Sequence, residues 1–149
     1  GDHFNPEIFS IVKNHLKTIY LLSFDIKGKS VVQENRDIQY LDADKTYEIE
    51  ELGIVKTLLS TDEGIAFLIQ TNSVTLFYAG DLHWWDWPGE DPEWLQEQEV
   101  IFKREIGKIT DMNIDIVGCS FRRELCKGDD AYFIRIASST HTTYALLGR

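Results

Sequence analysis

Apolar residues change their spacing repeatedly along the chain, and each change predicts a change of structure. Ile8, Val12 and Leu16, flanked by Phe9 and Ile19, keep a 3.6-residue period that predicts an opening helix to about residue 16. Its entrance suits that role, because Asn5 can cap, Pro6 fits the first helical position, Glu7 favours the dipole and Phe4 can staple onto Phe9. Residues 19–22 then form an unbroken apolar run that predicts a buried strand, and the charged stretch 25–36, centred on Lys27-Gly28-Lys29, predicts turns. Short apolar segments at 38–41, 46–49, 54–59, 65–70 and 74–79 predict a meander of antiparallel strands, with Thr71-Asn72-Ser73 as one hairpin connection. After Asp81 the pattern turns helical again. Asp91-Pro92 opens a helix over 92–109 whose buried stripe should include Leu95, Val100, Ile101 and Ile106. A strand at 114–117, a short helix at 129–136 and a strand at 143–147 complete the expectation. Strands mixed with a few amphipathic helices predict a layered α/β or α+β domain.

Composition narrows the partners. Twenty-five acidic against fifteen basic residues give a net charge of −10, so a nucleic-acid backbone or an anionic membrane surface is a poor default partner, and cations are better ones. Apolar runs such as 65–69 fall far short of the roughly 18 to 20 residues that span a bilayer. No signal peptide is visible, and a chain without targeting signals defaults to the cytoplasm. Cys119 and Cys126 are too few for a disulfide framework and are expected to stay reduced. The only methionine is Met112 and the chain opens on Gly1, so residue 1 is not expected to be a translation start.

Candidate chemistry lies at both ends of this pattern. Residues 74–81 read as an apolar strand that ends in Ala79-Gly80 and then a carboxylate. Asp81 therefore sits at a strand exit, where a ligand side chain can point into a cleft, although Gly-Asp is also an ordinary turn. Asp2 and His3 precede the first helix, and an adjacent carboxylate and imidazole can both reach a divalent ion. His83, Trp84 and Trp85, with Trp87, can line a substrate mouth beside Asp81 or pack between the sheet and the 92–109 helix. His15 reads as a polar-face helix residue, and Glu48, Glu50 and Glu51 as a solvated strand edge. Neither a Gly-rich phosphate loop nor a Gly-x-Ser-x-Gly elbow occurs.

Three segments in order carry a family resemblance. The opening DHFNPEIF resembles the end of the His-x-His-x-Asp-His motif of the metallo-β-lactamase superfamily, in a branch of small metal-dependent hydrolases. Residues 60–67, STDEGIAF, resemble that branch's Ser-Thr-Asp-x-Gly-x-Ser-Phe segment, and Ala79-Gly80-Asp81-Leu82 resembles its His-Ala-Gly-Asp-Leu segment. The resemblance implies a four-layer αββα sandwich, of which residues 1–149 would form a single N-terminally truncated domain. It implies that Asp2 and His3 serve the second of two divalent metal ions, zinc being the expected one, and that Asp81 bridges both. It also gives Asp2 a catalytic role in orienting a metal-bound hydroxide toward an ester, lactone, amide or phosphoester of a small-molecule substrate.

The departures limit what this chain holds by itself. The two earlier histidines of the first motif would lie before residue 2, and Leu59-Ser60-Thr61 stands where many members place a third histidine, leaving Asp62 as a substitute ligand. His141 lies near the place of the family's last histidine. At most a partial metal site is then expected, and the chain reads either as an inactive fragment or as a hydrolase completed upstream by roughly 50 to 70 residues of further strands. The rival from another class is a non-catalytic acidic domain that binds a partner through Trp84, Trp85 and Trp87. Oligomeric state stays open.

Overall fold

The computed structural model describes residues 6–11, 18–29, 37–120 and 144–148. Asp2, His3, His15, Cys126 and His141, and the helix expected at 129–136, lie outside the described residues. The first helix, α1, is described over Ile8–Ile11. Strand β1 (Ile19–Ser23) follows and leads into a 3-10 turn at Phe24–Ile26.

One expectation is corrected here. Strand β2 (Asp37–Leu41) does not open the antiparallel meander, because it pairs in parallel with β1, Ile19 facing Asp37 and Ser23 facing Leu41, as a separate two-stranded sheet. The meander starts one strand later. Strands β3 (Thr46–Ile49), β4 (Gly53–Leu59), β5 (Ile65–Gln70) and β6 (Thr75–Tyr78) are antiparallel neighbours. Strands β7 (Ile116–Ser120) and β8 (Tyr144–Gly148) extend the same sheet in parallel, giving the order β3-β4-β5-β6-β7-β8. The β5–β6 hairpin closes where expected, with Thr71 N–H donating to the Val74 carbonyl (2.9 Å) and Thr71 Oγ1 accepting from Val74 N–H (2.9 Å).

Helix α2 (Pro92–Gly107) connects β6 to β7. Asp91 caps it, its Oδ1 accepting from Glu93 N–H at 2.7 Å, with Pro92 in the first turn. The stripe it buries matches the expected one at Ile106 and departs from it at Val100, with Leu95 and Ile101 half-buried. Gln98, Phe102, Glu105 and Ile106 are buried, whereas Val100 is 59% exposed.

Alternation along the strands sends side chains to two faces. On one face Leu58, Ala66, Leu68, Phe77 and Val117 pack with Phe102 and Ile106 of α2. On the other, Val55 and Ile65 meet Leu41, with Leu21 and Phe67 packed alongside. The far side of the small sheet carries a third cluster, Phe9, Tyr20, Leu22 and Ile26, in which the Phe9 and Tyr20 rings are 4.8 Å apart. Each fully buried large side chain, such as Phe77 or Phe102, contributes about 2 to 3 kcal/mol. The fold class is α+β, with strands predominating and α2 as its long helix among the described residues.

Candidate active-site loops

Two loops meet at one end of the six-stranded sheet. The first, residues 60–64, joins β4 to β5, and the second, residues 79–91, leaves β6 and leads to α2. Ala79 N–H donates to the Gly118 carbonyl (2.8 Å), so the exit of β6 is still tied to β7. Gly80 then takes a positive φ of 55°, and Leu82 N–H closes the turn on the Ala79 carbonyl at 3.0 Å. This turn carries Asp81, whose side chain is half-buried.

Thr61 joins the loops. Its hydroxyl oxygen accepts from His83 N–H at 2.9 Å and lies 2.9 Å from the Asp81 carbonyl and 2.8 Å from that of His83, so its one proton serves either acceptor. From the other side α2 holds Thr61. With the Gln98 amide oriented to satisfy both of its atoms, the nitrogen donates to the Thr61 carbonyl and the oxygen accepts from Trp94 Nε1 at 3.2 Å. Glu105 adds a second anchor by accepting from Leu59 N–H at 3.2 Å. Sequence periodicity missed Gln98 and Glu105 because it counts apolar residues. Their signal was two polar side chains in register with Phe102 and Ile106 on one helical stripe.

The aromatic segment is built inward. His83 is 0% exposed and packs edge-on against Trp85, with ring centroids 5.0 Å apart and planes at 70°. Burial without solvent lowers the His83 pKa to about 4, against the opposing effect of its hydrogen bond to the Gly80 backbone, so the imidazole is neutral near pH 7. Trp85 is only 8% exposed. Trp84 lies against Phe102 of α2 (6.1 Å) beneath the Lys103 ammonium, 4.6 Å from the ring centre. Trp87 is 40% exposed and sits 5.7 Å from Trp85. The three indoles therefore do not form one exposed surface.

Among the candidate ligands, Asp81 stands beside the 60–64 loop, where Asp62 is exposed and Ser60 is buried with no hydrogen-bond partner for its Oγ among the described residues. No group of three or more His, Cys, Asp or Glu side chains able to hold a metal ion occurs among the described residues. Cys119 is a buried thiol in the α2-side core. Glu48, Glu50 and Glu51 are exposed, as expected of a solvated edge. No described helix is long and apolar enough to cross a membrane.

Comparison with known proteins gives little overlap. No family model matches the sequence, and no curated protein matches it. Among solved structures, "Rm3 metallo-beta-lactamase" matches over 56% of this chain and 35% of that chain, with 10% sequence identity and a TM-score of 0.41. The matched part thus spans about a third of that protein's length.

Proposed function

We propose that the chain is the larger, C-terminal part of a metal-dependent hydrolase of the metallo-β-lactamase fold, with its catalytic centre at the end of the sheet where Asp81 lies. The observation that carries this reading is the Thr61 hydroxyl bridge. Two sequence segments that resemble the same family's motifs, 60–67 and 79–82, are far apart in the chain, yet they are bonded to each other at a strand exit. The three apolar clusters support the four-layer arrangement, with α1 outside the small sheet and α2 outside the large one.

Asp81 is a fitting metal donor because its loop is fixed by backbone bonds and the residue as a whole is only half-buried. Asp2, His3 and His141 are proposed to complete the donor set, with Asp62 as the alternative from the neighbouring loop. A divalent ion, zinc for a mixed imidazole and carboxylate set, would supply polarised water that ionises near neutral pH. This chain's own residues hold the loop in shape: Thr61 fixes the Asp81 backbone, and the buried His83 and Trp85 pack against each other a few residues on. The substrate class is an ester, lactone, amide or phosphoester. The test is the metal content of the purified chain against Asp81→Ala, with folding of both checked by thermal melting. Bound zinc in the parent that falls in the variant supports the reading. Metal no higher than trace in the parent, unchanged by the substitution, overturns the claim that this chain carries a metal site.

A further inference from the structure

An open groove of about 430 Å³ runs between the C-terminal end of α2 and the β3–β4 edge of the large sheet. It is distinct from the Asp81 loops. Its floor is apolar, made by Leu58 and Ile109, both buried, and by the half-buried Met112. Its rim carries Lys45, Lys56 and Lys108 against a single carboxylate, Asp44. Lys108 is held by Asp44 and by the buried Glu105, both at 2.5 Å, while Lys45 and Lys56 make no ion pair among the described residues.

In a chain of net charge −10, the lysines of this rim outnumber the Asp44 and Glu105 carboxylates beside them, a small local excess opposite in sign to the whole. We propose that the groove binds a small amphipathic organic anion, its apolar body on Leu58, Ile109 and Met112 and its acidic head at the rim that Lys45 and Lys56 help to line. The volume lies within the range of small-molecule pockets, roughly 300 to 1,000 Å³. An apolar floor alone would accept neutral hydrocarbon equally, and a lysine rim alone would accept inorganic phosphate. The combination selects a carboxylate, sulfonate or phosphate carried on a short apolar body.

Met112 makes the test direct, because it is the only methionine in the chain. A methyl-¹³C-methionine sample gives one resonance that reports on the groove floor. Titration with octanoate should shift that resonance to saturation, whereas octanol and inorganic phosphate should move it much less. Lys56→Glu should weaken octanoate binding by about tenfold, equivalent to about 1.4 kcal/mol. Lys103→Glu, which changes the net charge equally but sits on α2 beside Trp84, should leave it unchanged. Thermal melting of both variants confirms that they are folded, and Lys45→Glu provides a second rim substitution if Lys56→Glu fails to fold. A Met112 resonance that octanoate does not move, or that responds alike in Lys56→Glu and Lys103→Glu, overturns the proposal. Neither outcome depends on whether Asp81 binds metal.

Discussion

The hydroxyl of Thr61 lies 2.9 Å from the carbonyl oxygen of Asp81, joining the loop after β4 to the loop after β6. The same oxygen accepts from His83 N–H, so one side chain satisfies buried backbone groups that otherwise have no regular strand partner. Thr61→Val keeps the shape and removes the hydroxyl. It should destabilise the chain by about 1 to 3 kcal/mol, the cost of leaving buried polar groups unmade. Thr61→Ser keeps the hydroxyl and should cost less than about 1 kcal/mol for the lost methyl. Urea melts of both variants check the ordering, and equal losses would show that the methyl, not the hydroxyl, matters.

Burial of neutral His83 gives stability a defined pH dependence. Its folded pKa, about 4, lies below the ordinary value of 6.5, so between those values the unfolded chain binds more protons than the folded one. Stability from this group is therefore complete above about pH 6.5, falls as the pH drops toward 4, and levels off below it. The full loss is on the order of 3 kcal/mol. The measurement is the difference between the parent and His83→Gln, which cancels what other groups contribute. The parent should lose more stability than the variant between pH 6.5 and 4.5. Parallel curves would mean that His83 takes up its proton as readily in the fold as in the unfolded chain.

Local chemistry was readable in the sequence, and long-range pairing was not. The Asp91-Pro92 helix start and the Thr71-Asn72-Ser73 hairpin depend on neighbours within a few residues, and both formed as expected. Strand β2 was located but assigned to the wrong partner, because nothing in residues 38–41 states whether their neighbour is β3 or β1. Val100 was placed in the core for its apolar side chain, while the stripe that faces the sheet also uses Gln98 and Glu105. The turn that carries Asp81 at the exit of β6 was legible from Gly80. Thr61 as its tether was not, since a hydroxyl that bridges distant loops leaves no periodic signal.

Those two helix positions give a contrast. Val100→Ala on the exposed face of α2 should change stability by less than about 0.5 kcal/mol, because little packing is lost and alanine favours the helix. Phe102→Ala, two residues along and buried in the α2-side core, should cost about 3 to 5 kcal/mol. Chemical denaturation of both checks the burial stripe. A larger loss at Val100 would restore the stripe read from apolar spacing.

Gly53 sets the start of β4 with no room for any side chain. Its φ is +122°, and a Cβ there would stand 2.3 Å from the backbone carbonyl oxygen of Gln70, the residue opposite Ile54 in β5. Neither the oxygen nor the carbonyl carbon can yield without opening the β4–β5 pairing that holds both the Leu41 cluster and the 60–64 loop. Gly89 also has a positive φ, +91°, but nothing lies within 4 Å of its would-be Cβ. Gly89→Ala should therefore cost only backbone strain, about 1 to 2 kcal/mol. Gly53→Ala meets the same strain and a clash with main chain, and should lose at least about 3 kcal/mol or fail to fold. Thermal melting of the two variants separates these costs, and hydrogen exchange at the amides of β4 and β5 locates them. Equal effects at both positions would mean that the β3–β4 turn can relax away from Gln70.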